Sequence, residues 1–351
     1  MKGRNEVTIR PVQQEDVPAL YDAARQPKVA RTTLLQPALE ISATEEHVEQ
    51  KTPGRHYLVA DVDSRAVGSV SLRQYQNPRL NHSGRLGLLV HPEYWQRGIG
   101  TQLVEAILKI ADEWLNLHRV ELGVFTTNTV AIHLYEKFGF ETEGRQSCYA
   151  YGPDGWMDHL IMARLRNPPP QTERDAPSVE EVARVPFDAE RLTIRPFHPD
   201  DIEDVYQILR HPLVGRTTLQ MPSQEFARVE ERIKPARPDL FRFVADYDGR
   251  VVGNLALHRA QNPRRAHAAS LGMAVHPQFW GRGVGSALMA AAVDLADNWF
   301  NLRRVELDVN VDNPPGVHLY EKFGFEIEGT RRFHTYGAGR WTDSYFMARI
   351  R

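Results

Sequence analysis

Apolar and polar positions alternate in two ways along the chain, with a period of two in some segments and of about 3.6 in others. In the first half, the period-two segments predict strands at residues 7–10, 56–62, 66–73, 85–90, 120–124, 149–151 and 157–162. The segments with helical spacing predict helices at residues 16–24, 44–51, 99–115 and 128–138. This mixture of strands and helices indicates an α/β (mixed α+β) fold.

The whole pattern is repeated once. Residues 91–100 return as residues 276–285, an offset of 276 minus 91, or 185 residues. The same offset relates residues 8–11 to 193–196, 31–33 to 216–218 and 134–140 to 319–325. A period of this length is a domain duplication, since solenoid repeats are roughly 20–50 residues long. We therefore predict domains at residues 1–166 and 189–351, joined by a polar, proline-rich linker at residues 167–188.

Composition restricts the classes of partner. Hydrophobic residues make up 42% and charged residues 25% of the 351-residue chain, as in ordinary globular proteins. A net charge of −2 provides no basic surface for nucleic acid or for an anionic membrane. The sequence shows no apolar leader and no run long enough to span a bilayer, which indicates a cytoplasmic protein. Cys148 is the single cysteine, and no cluster of side chains has metal-ligand spacing.

A glycine-rich turn joins the predicted strand at residues 85–90 to the longest predicted helix. It consists of Arg97, Gly98, Ile99, Gly100 and Thr101, and in the second copy of Arg282, Gly283, Val284, Gly285 and Ser286. A helix that begins at this turn presents unpaired backbone N–H groups and the positive end of its dipole, which together bind phosphate. Alternatively, the glycines only allow close packing of helix and strand, since short glycine motifs are common.

Two polar side chains share one face of the next predicted helix. Asn128 and Tyr135 are seven residues apart, close to two helical turns, and Asn313 and Tyr320 repeat the spacing. The simplest interpretation of the asparagine is a helix N-cap, and that of the tyrosine is core packing.

These features resemble the GNAT superfamily of acetyl-CoA-dependent N-acetyltransferases, in tandem. The likeness rests on the order of elements, the turn at residues 97–100 and the segment 128–140. It is greatest to bacterial L-amino acid and phosphinothricin-type enzymes, through residues 297–299, 304–307 and 320–329. The resemblance implies a mixed, mostly antiparallel sheet flanked by helices in each half. It also implies direct transfer of an acetyl group from acetyl-CoA to the primary amine of a small molecule, an amino acid or analogue. Because no cluster has metal-ligand spacing, a metal is not expected.

The resemblance further implies roles for residues of both copies. Backbone N–H groups would hold the pyrophosphate and polarise the thioester carbonyl, at residues 97–101, 282–286, Leu89, Val90, Ala274 and Val275. Asn128 and Asn313 would hold the pantetheine arm. Tyr135 and Tyr320 would act as general acids that protonate the departing thiolate.

The general base differs between the copies. The position that holds a catalytic glutamate in some relatives is Gly123 in the first copy and Asp308 in the second. Glu121 and Glu306 lie two residues earlier on the same strand face. We hypothesise that Asp308, or Glu306 through a water, deprotonates the amine, and that the first copy relies on Glu121 or is catalytically poorer. An equally simple interpretation of these carboxylates is surface charge or ion pairing.

Three other functions are compatible with the sequence. Protein N-termini are an alternative acceptor. An acyl-CoA-binding regulatory protein would hold coenzyme without turnover in one or both halves. In a third interpretation the first half is structural and replaces the partner subunit of a single-domain relative, and a homo-oligomer is also compatible with the sequence.

Overall fold

The computed structural model describes residues 6–49, 52–167 and 185–351. It divides into two compact units, Met1–Pro170 and Gln171–Arg351. Most of the predicted linker falls on residues 168–184, outside the described part of the chain, and the domain boundaries stay a prediction.

The first unit is a seven-stranded sheet with helices on its faces. Its strands are β1 (Thr8–Pro11), β2 (Arg55–Val62), β3 (Arg65–Gln74), β4 (Ser83–Val90), β5 (Arg119–Phe125), β6 (Glu141–Gly152) and β7 (Gly155–Leu165). Its helices are α1 (Val17–Ala24), α2 (Pro27–Ala30), α3 (Ile41–Glu49), α4 (Ile99–Lys109) and α5 (Thr129–Lys137). The strand order is β1-β2-β3-β4-β5-β7-β6, and only β4 and β5 are parallel.

The second unit repeats this arrangement. Its strands are β8 (Leu192–Pro196), β9 (Leu240–Tyr247), β10 (Arg250–Arg259), β11 (Ala268–Val275), β12 (Arg304–Asn310), β13 (Glu326–Gly337) and β14 (Arg340–Ile350). Its helices are α6 (Ile202–Leu209), α7 (Pro212–Thr217), α8 (Phe226–Ile233), α9 (Val284–Asp294) and α10 (Pro314–Lys322). The order is β8-β9-β10-β11-β12-β14-β13, with β11 and β12 parallel. The predicted mixed, mostly antiparallel sheet is confirmed in both units.

The main core of the first unit lies between α4 and the sheet. Leu103, Val104 and Ile107 of α4 are buried there with Leu122 and Val124 of β5. Since side chains alternate along a strand, Glu121 and Gly123 face the opposite side of the sheet, which α1 covers in part. Among the described helices, none combines the length and apolar character that a bilayer crossing requires.

Local irregularities explain where the predicted elements differ from the observed ones. The predicted strand at residues 149–151 is the end of the longer strand β6, in which Cys148 has a φ of 50° and the register shifts between Gln146 and Ala150. This irregularity breaks the period-two pattern. The predicted helix at residues 99–115 is α-helical to Lys109 and continues as a π-helical segment, Ile110–Trp114.

Candidate active site

The sheet of each unit opens between its two parallel strands. β4 and β5 pair through three residues and separate after Arg85 and Glu121, although β4 continues to Val90. In the second unit the pairing of β11 and β12 ends at Ser270 and Glu306. The opening leaves two strand edges with backbone donors and acceptors that a ligand can satisfy.

Backbone geometry selects the N–H groups that face this opening. His91 N–H donates to the Val67 carbonyl (2.8 Å). Because every second residue of an antiparallel strand bonds to the same neighbour, this bond determines which residues of β4 are hydrogen-bonded to β3. The N–H and carbonyl of Leu89 therefore form hydrogen bonds with β3, whereas the N–H and carbonyl groups of Leu88 and Val90 point toward β5. Of the two residues proposed to polarise the thioester in the first copy, only Val90 presents its N–H to the opening.

The second unit has the same alternation. His276 N–H donates to the Val252 carbonyl (2.8 Å), so Ala274 bonds toward β10, and Met273 and Val275 face β12. Val275 thus corresponds to Val90, and the N–H of Ala274 belongs to the sheet ladder.

A tryptophan closes the end of each opening. Trp95 donates its indole Nε1–H to the Val90 carbonyl (2.8 Å), and Trp280 donates to the Val275 carbonyl (2.7 Å). The indole N–H therefore satisfies the last carbonyl that faces the opening, and the N–H of the same valine is available to a ligand. No feature of the sequence predicted this contact.

The glycine-rich turn leads directly into α4. Gly98 has a φ of 79° and Gly283 a φ of 83°, left-handed conformations that glycine adopts at no steric cost. The first helical hydrogen bond of α4 joins Gln102 N–H to the Gly98 carbonyl (3.1 Å), and Ala287 N–H bonds to Gly283 in α9 (2.9 Å). The N–H groups of residues 98–101 and 283–286 precede these bonds and lie at the helix starts, where an anion is stabilised.

The two glycines of each turn have different requirements. A Cβ at Gly98 would meet no atom within 4 Å, so the left-handed backbone alone favours glycine there. A Cβ at Gly100 would lie 3.2 Å from Leu134 Cδ2, and one at Gly285 would lie 3.0 Å from Leu319 Cδ2. The first glycine thus suits an anion-binding turn and the second suits close helix packing, so both sequence interpretations have a structural basis.

The asparagine directly precedes the helix and the tyrosine lies within it, both in α5 and in α10. Asn128 accepts the Ala131 N–H (3.3 Å), and Asn313 accepts the Gly316 N–H (3.2 Å), so both oxygens cap their helices. Tyr135 and Tyr320 are buried, and no group in the described part of the chain accepts a hydrogen bond from either hydroxyl. Burial raises the pKa of Tyr320 to about 12 and raises the pKa of Tyr135 as well. Both phenols therefore remain protonated near neutral pH.

Glu306 is held by two arginines. Arg304, which is fully buried, donates to Glu306 (2.8 Å), and Arg265 donates to its other oxygen (2.7 Å). Burial alone would raise the pKa of Glu306, but Arg265 and Arg304 outweigh it and lower that pKa. A carboxylate with a lowered pKa and two guanidinium partners is a poor proton acceptor.

Glu121 is engaged in a similar way. Arg119 is fully buried and donates to Glu121 (2.9 Å) and to Glu143 (2.8 Å). Tyr75 donates its hydroxyl to the second oxygen of Glu121. The geometry therefore favours ion pairing, the alternative interpretation, for both Glu121 and Glu306.

Asp308 has a more accessible carboxylate. About half of its side chain is exposed (48%), and Arg331 Nε lies 3.2 Å from its Oδ1. At the equivalent position of the first unit, a Cβ on Gly123 would lie 1.9 Å from His159 Cε1. The His159 ring thus fills the space of the missing side chain, stacked on Tyr149 at 4.0 Å. The two units therefore differ at the position proposed for the general base.

Replacing Gly123 with alanine is expected to destabilise the first unit by about 1–3 kcal/mol, as overpacking generally does. His159 is buried between Tyr149 and Phe125 and has little space into which to retreat. The double variant with His159→Ser, the residue type of Ser344 at the equivalent position, should recover most of the loss. Hydrogen exchange of β5 and β7 measures both effects, and unchanged exchange in Gly123→Ala would contradict the steric argument.

Comparisons with known proteins bear on the family of both halves. Residues 18–140 and 202–325 each match the Acetyltransferase (GNAT) family, and together they cover more than half of the chain. The L-amino acid N-acetyltransferase AaaT of Escherichia coli (strain K12) is 41% identical over 160 residues, which are 46% of this chain and 98% of that protein. Spermidine N(1)-acetyltransferase of the same organism is 24% identical over 161 residues, 45% of this chain and 86% of that protein.

Among solved structures, an acetyltransferase of the GNAT family from Streptococcus pneumoniae is 27% identical. The match covers 46% of this chain and 99% of that chain, with a TM-score of 0.41.

No group of three or more His, Cys, Asp or Glu side chains in the described ranges could hold a metal ion. The matches to the family in both halves show that this chain belongs to the GNAT family of acetyltransferases and carries its domain twice.

Proposed function

We propose that the chain transfers the acetyl group of acetyl-CoA to the primary amine of a small molecule, an amino acid or close analogue. The observation that carries this proposal is the opening between the parallel strands, together with the left-handed glycine turn that follows the first of these strands in the chain. The likeness to an L-amino acid N-acetyltransferase supports the acceptor class.

The residues around the opening fit the donor. Amides of residues 97–101 and 282–286 would hold the pyrophosphate, with Arg97 and Arg282 beside them as further cations. The pantetheine arm would lie along the open strand edges, near Asn128 or Asn313. When bound, acetyl-CoA supplies an activated acetyl thioester, whose carbonyl the N–H of Val90 or Val275 would polarise.

In the second unit, two side chains would handle the protons. Asp308 would accept the proton of the substrate ammonium, because its carboxylate is accessible and, among the described residues, pairs with Arg331 alone. Tyr320 would hold a proton for the departing sulfur, because burial keeps its hydroxyl protonated. Glu306 would serve to fix the strand through its two arginines.

The first unit would be the poorer catalyst. Gly123 offers no carboxylate, and Glu121 is shared between Arg119 and Tyr75. The turn and the opening are nevertheless complete in this unit. Coenzyme binding without efficient turnover is therefore the second candidate function, restricted to the first unit.

Release of CoA by the full chain tests the proposal. The acceptor panel contains the L-amino acids, spermidine and a peptide with a free N-terminus, each with acetyl-CoA. We expect the largest kcat/KM for an amino acid or analogue. Calorimetric binding of acetyl-CoA without CoA release from any acceptor would instead identify a coenzyme-binding protein, and preference for the peptide would overturn the small-molecule assignment.

A further inference from the structure

Each unit has a surface cavity where its first helix ends beside the histidine that follows its fourth strand. The cavity of the first unit is lined by Asp22, Gln26, Arg65 and His91, among others. The cavity of the second unit, of about 540 Å³, is lined by Gln207, Arg210, His211, Arg250 and His276, among others. The offset of the duplication relates Gln207, His211, Arg250 and His276 to the four residues of the first set, and Arg210 is an additional lining residue of the second cavity. The cavities are therefore equivalent in position but different in chemistry.

In the first unit the cavity contains a carboxylate of the protein itself. Asp22 accepts hydrogen bonds from Arg65 (2.6 Å) and from the Gln26 side chain (3.2 Å). His91 Nε2 lies 3.5 Å from the same carboxylate, and its Nδ1 accepts the Glu93 N–H (3.3 Å). Because Nδ1 accepts, the ring proton is on Nε2, so two hydrogen-bond donors and a nearby imidazole N–H surround one carboxylate.

In the second unit Arg250 and His276 keep the positions of Arg65 and His91, His211 replaces Gln26, and the carboxylate of Asp22 is absent. Gln207 stands at the position of Asp22, and its amide donates to Glu203 (2.7 Å). The carboxylate of Asp204 accepts the Val251 N–H (2.8 Å). In the part of the chain that the structure describes, neither Arg210 nor Arg250 forms an ion pair.

The two histidines add N–H donors to these arginines. His211 Nδ1 accepts the Leu213 N–H (3.2 Å), and His276 Nδ1 accepts the Gln278 N–H (3.3 Å). Both rings therefore carry their proton on Nε2, and their centroids are 5.4 Å apart. Burial, together with His211 and Arg250, lowers the pKa of His276 to about 4. An anion in the cavity would offset the repulsion between the guanidinium of Arg250 and a protonated His276.

We propose that the cavity formed by Arg210, His211, Arg250 and His276 binds the carboxylate of a small molecule, at the place that Asp22 occupies in the first unit. Guanidinium and imidazole N–H groups form charge-assisted hydrogen bonds with carboxylates, as Arg65 does with Asp22. None of these four side chains has a role in the proposed acetyl transfer, so the site goes beyond that function and does not depend on it.

Titration of the full chain with succinate, followed by the NMR signals of its histidine rings at constant ionic strength, tests this site. The variant His276→Gln assigns the reporting signal. We expect a saturable shift of the His276 signal and an upward shift of its pH midpoint. Inorganic phosphate should bind at least threefold more weakly; equal or tighter phosphate binding, or a response that does not saturate, would overturn the carboxylate site.

A pair of reciprocal variants makes the test specific. Gln207→Asp supplies the carboxylate internally and should weaken succinate binding at least tenfold. Ala290→Asp, which adds the same charge on the exposed side of α9, should leave the affinity within twofold. Asp22→Gln should create a second saturable response at His91, and this gain does not depend on the folding of Gln207→Asp. Unchanged binding in Gln207→Asp together with no gain in Asp22→Gln would refute the site.

Discussion

Replacing Tyr320 with phenylalanine is expected to lower kcat about 10²- to 10³-fold, the contribution typical of a general acid. The change removes the hydroxyl and keeps the buried ring, whose centroid lies 6.0 Å from that of Phe325. The fold and the coenzyme contacts should therefore be retained, with KM for acetyl-CoA nearly unchanged. Steady-state CoA release with the preferred amine measures the loss.

Tyr135→Phe is the matched control in the first unit. Tyr135 has the same position on its helix and the same environment, and burial also raises its pKa. Because Gly123 supplies no carboxylate as a general base in this unit, we expect the loss of kcat to stay within about twofold, a difference that steady-state kinetics resolves. Equal losses in the two variants would remove the proposed asymmetry, and full activity of Tyr320→Phe would remove the acid role.

Features that depend on neighbouring residues could be predicted from the sequence. The turn at Gly98 requires a left-handed residue between a strand and a helix, and the sequence shows glycine at that position in both copies. The helix cap at Asn128 was also predicted, because asparagine is favoured directly before a helix, and the structure shows it. The duplication made these predictions firmer, because each feature occurs twice at one offset.

Features that depend on distant partners could not be predicted. The strand face of Glu306 was predicted correctly, but Arg265 lies 41 residues away in sequence, so its hydrogen bond to Glu306 depends on the tertiary fold. The space beside Gly123 is filled by His159 from β7. Sequence alone therefore identified the acidic and glycine positions and not the groups that decide their chemistry.

Replacing Arg304 with methionine is expected to cost about 3–5 kcal/mol of stability in the second unit, as loss of one partner of a buried ion pair generally does. Arg304 is fully buried and donates to Glu306 (2.8 Å) and to Glu328 (2.9 Å). Methionine fills much of the space of the arginine side chain, but Glu328 loses the hydrogen bonds that the Arg304 guanidinium donates. Hydrogen exchange measured separately for each unit reports the loss, with the first unit of the same molecule as the internal reference.

The loss in Arg304→Met should depend on pH with a defined sign. Arg265 and Arg304 lower the pKa of Glu306 in the folded state, so its ionised form stabilises the fold above the unfolded pKa of about 4.3. This contribution disappears as the pH falls through the folded value, so the difference between Arg304→Met and the unaltered chain should shrink in acid. Lys234→Met, which removes an exposed partner of Glu230, should cost no more than about 1 kcal/mol at any pH. A loss in Arg304→Met as small as in Lys234→Met would show that the buried network does not stabilise the strand.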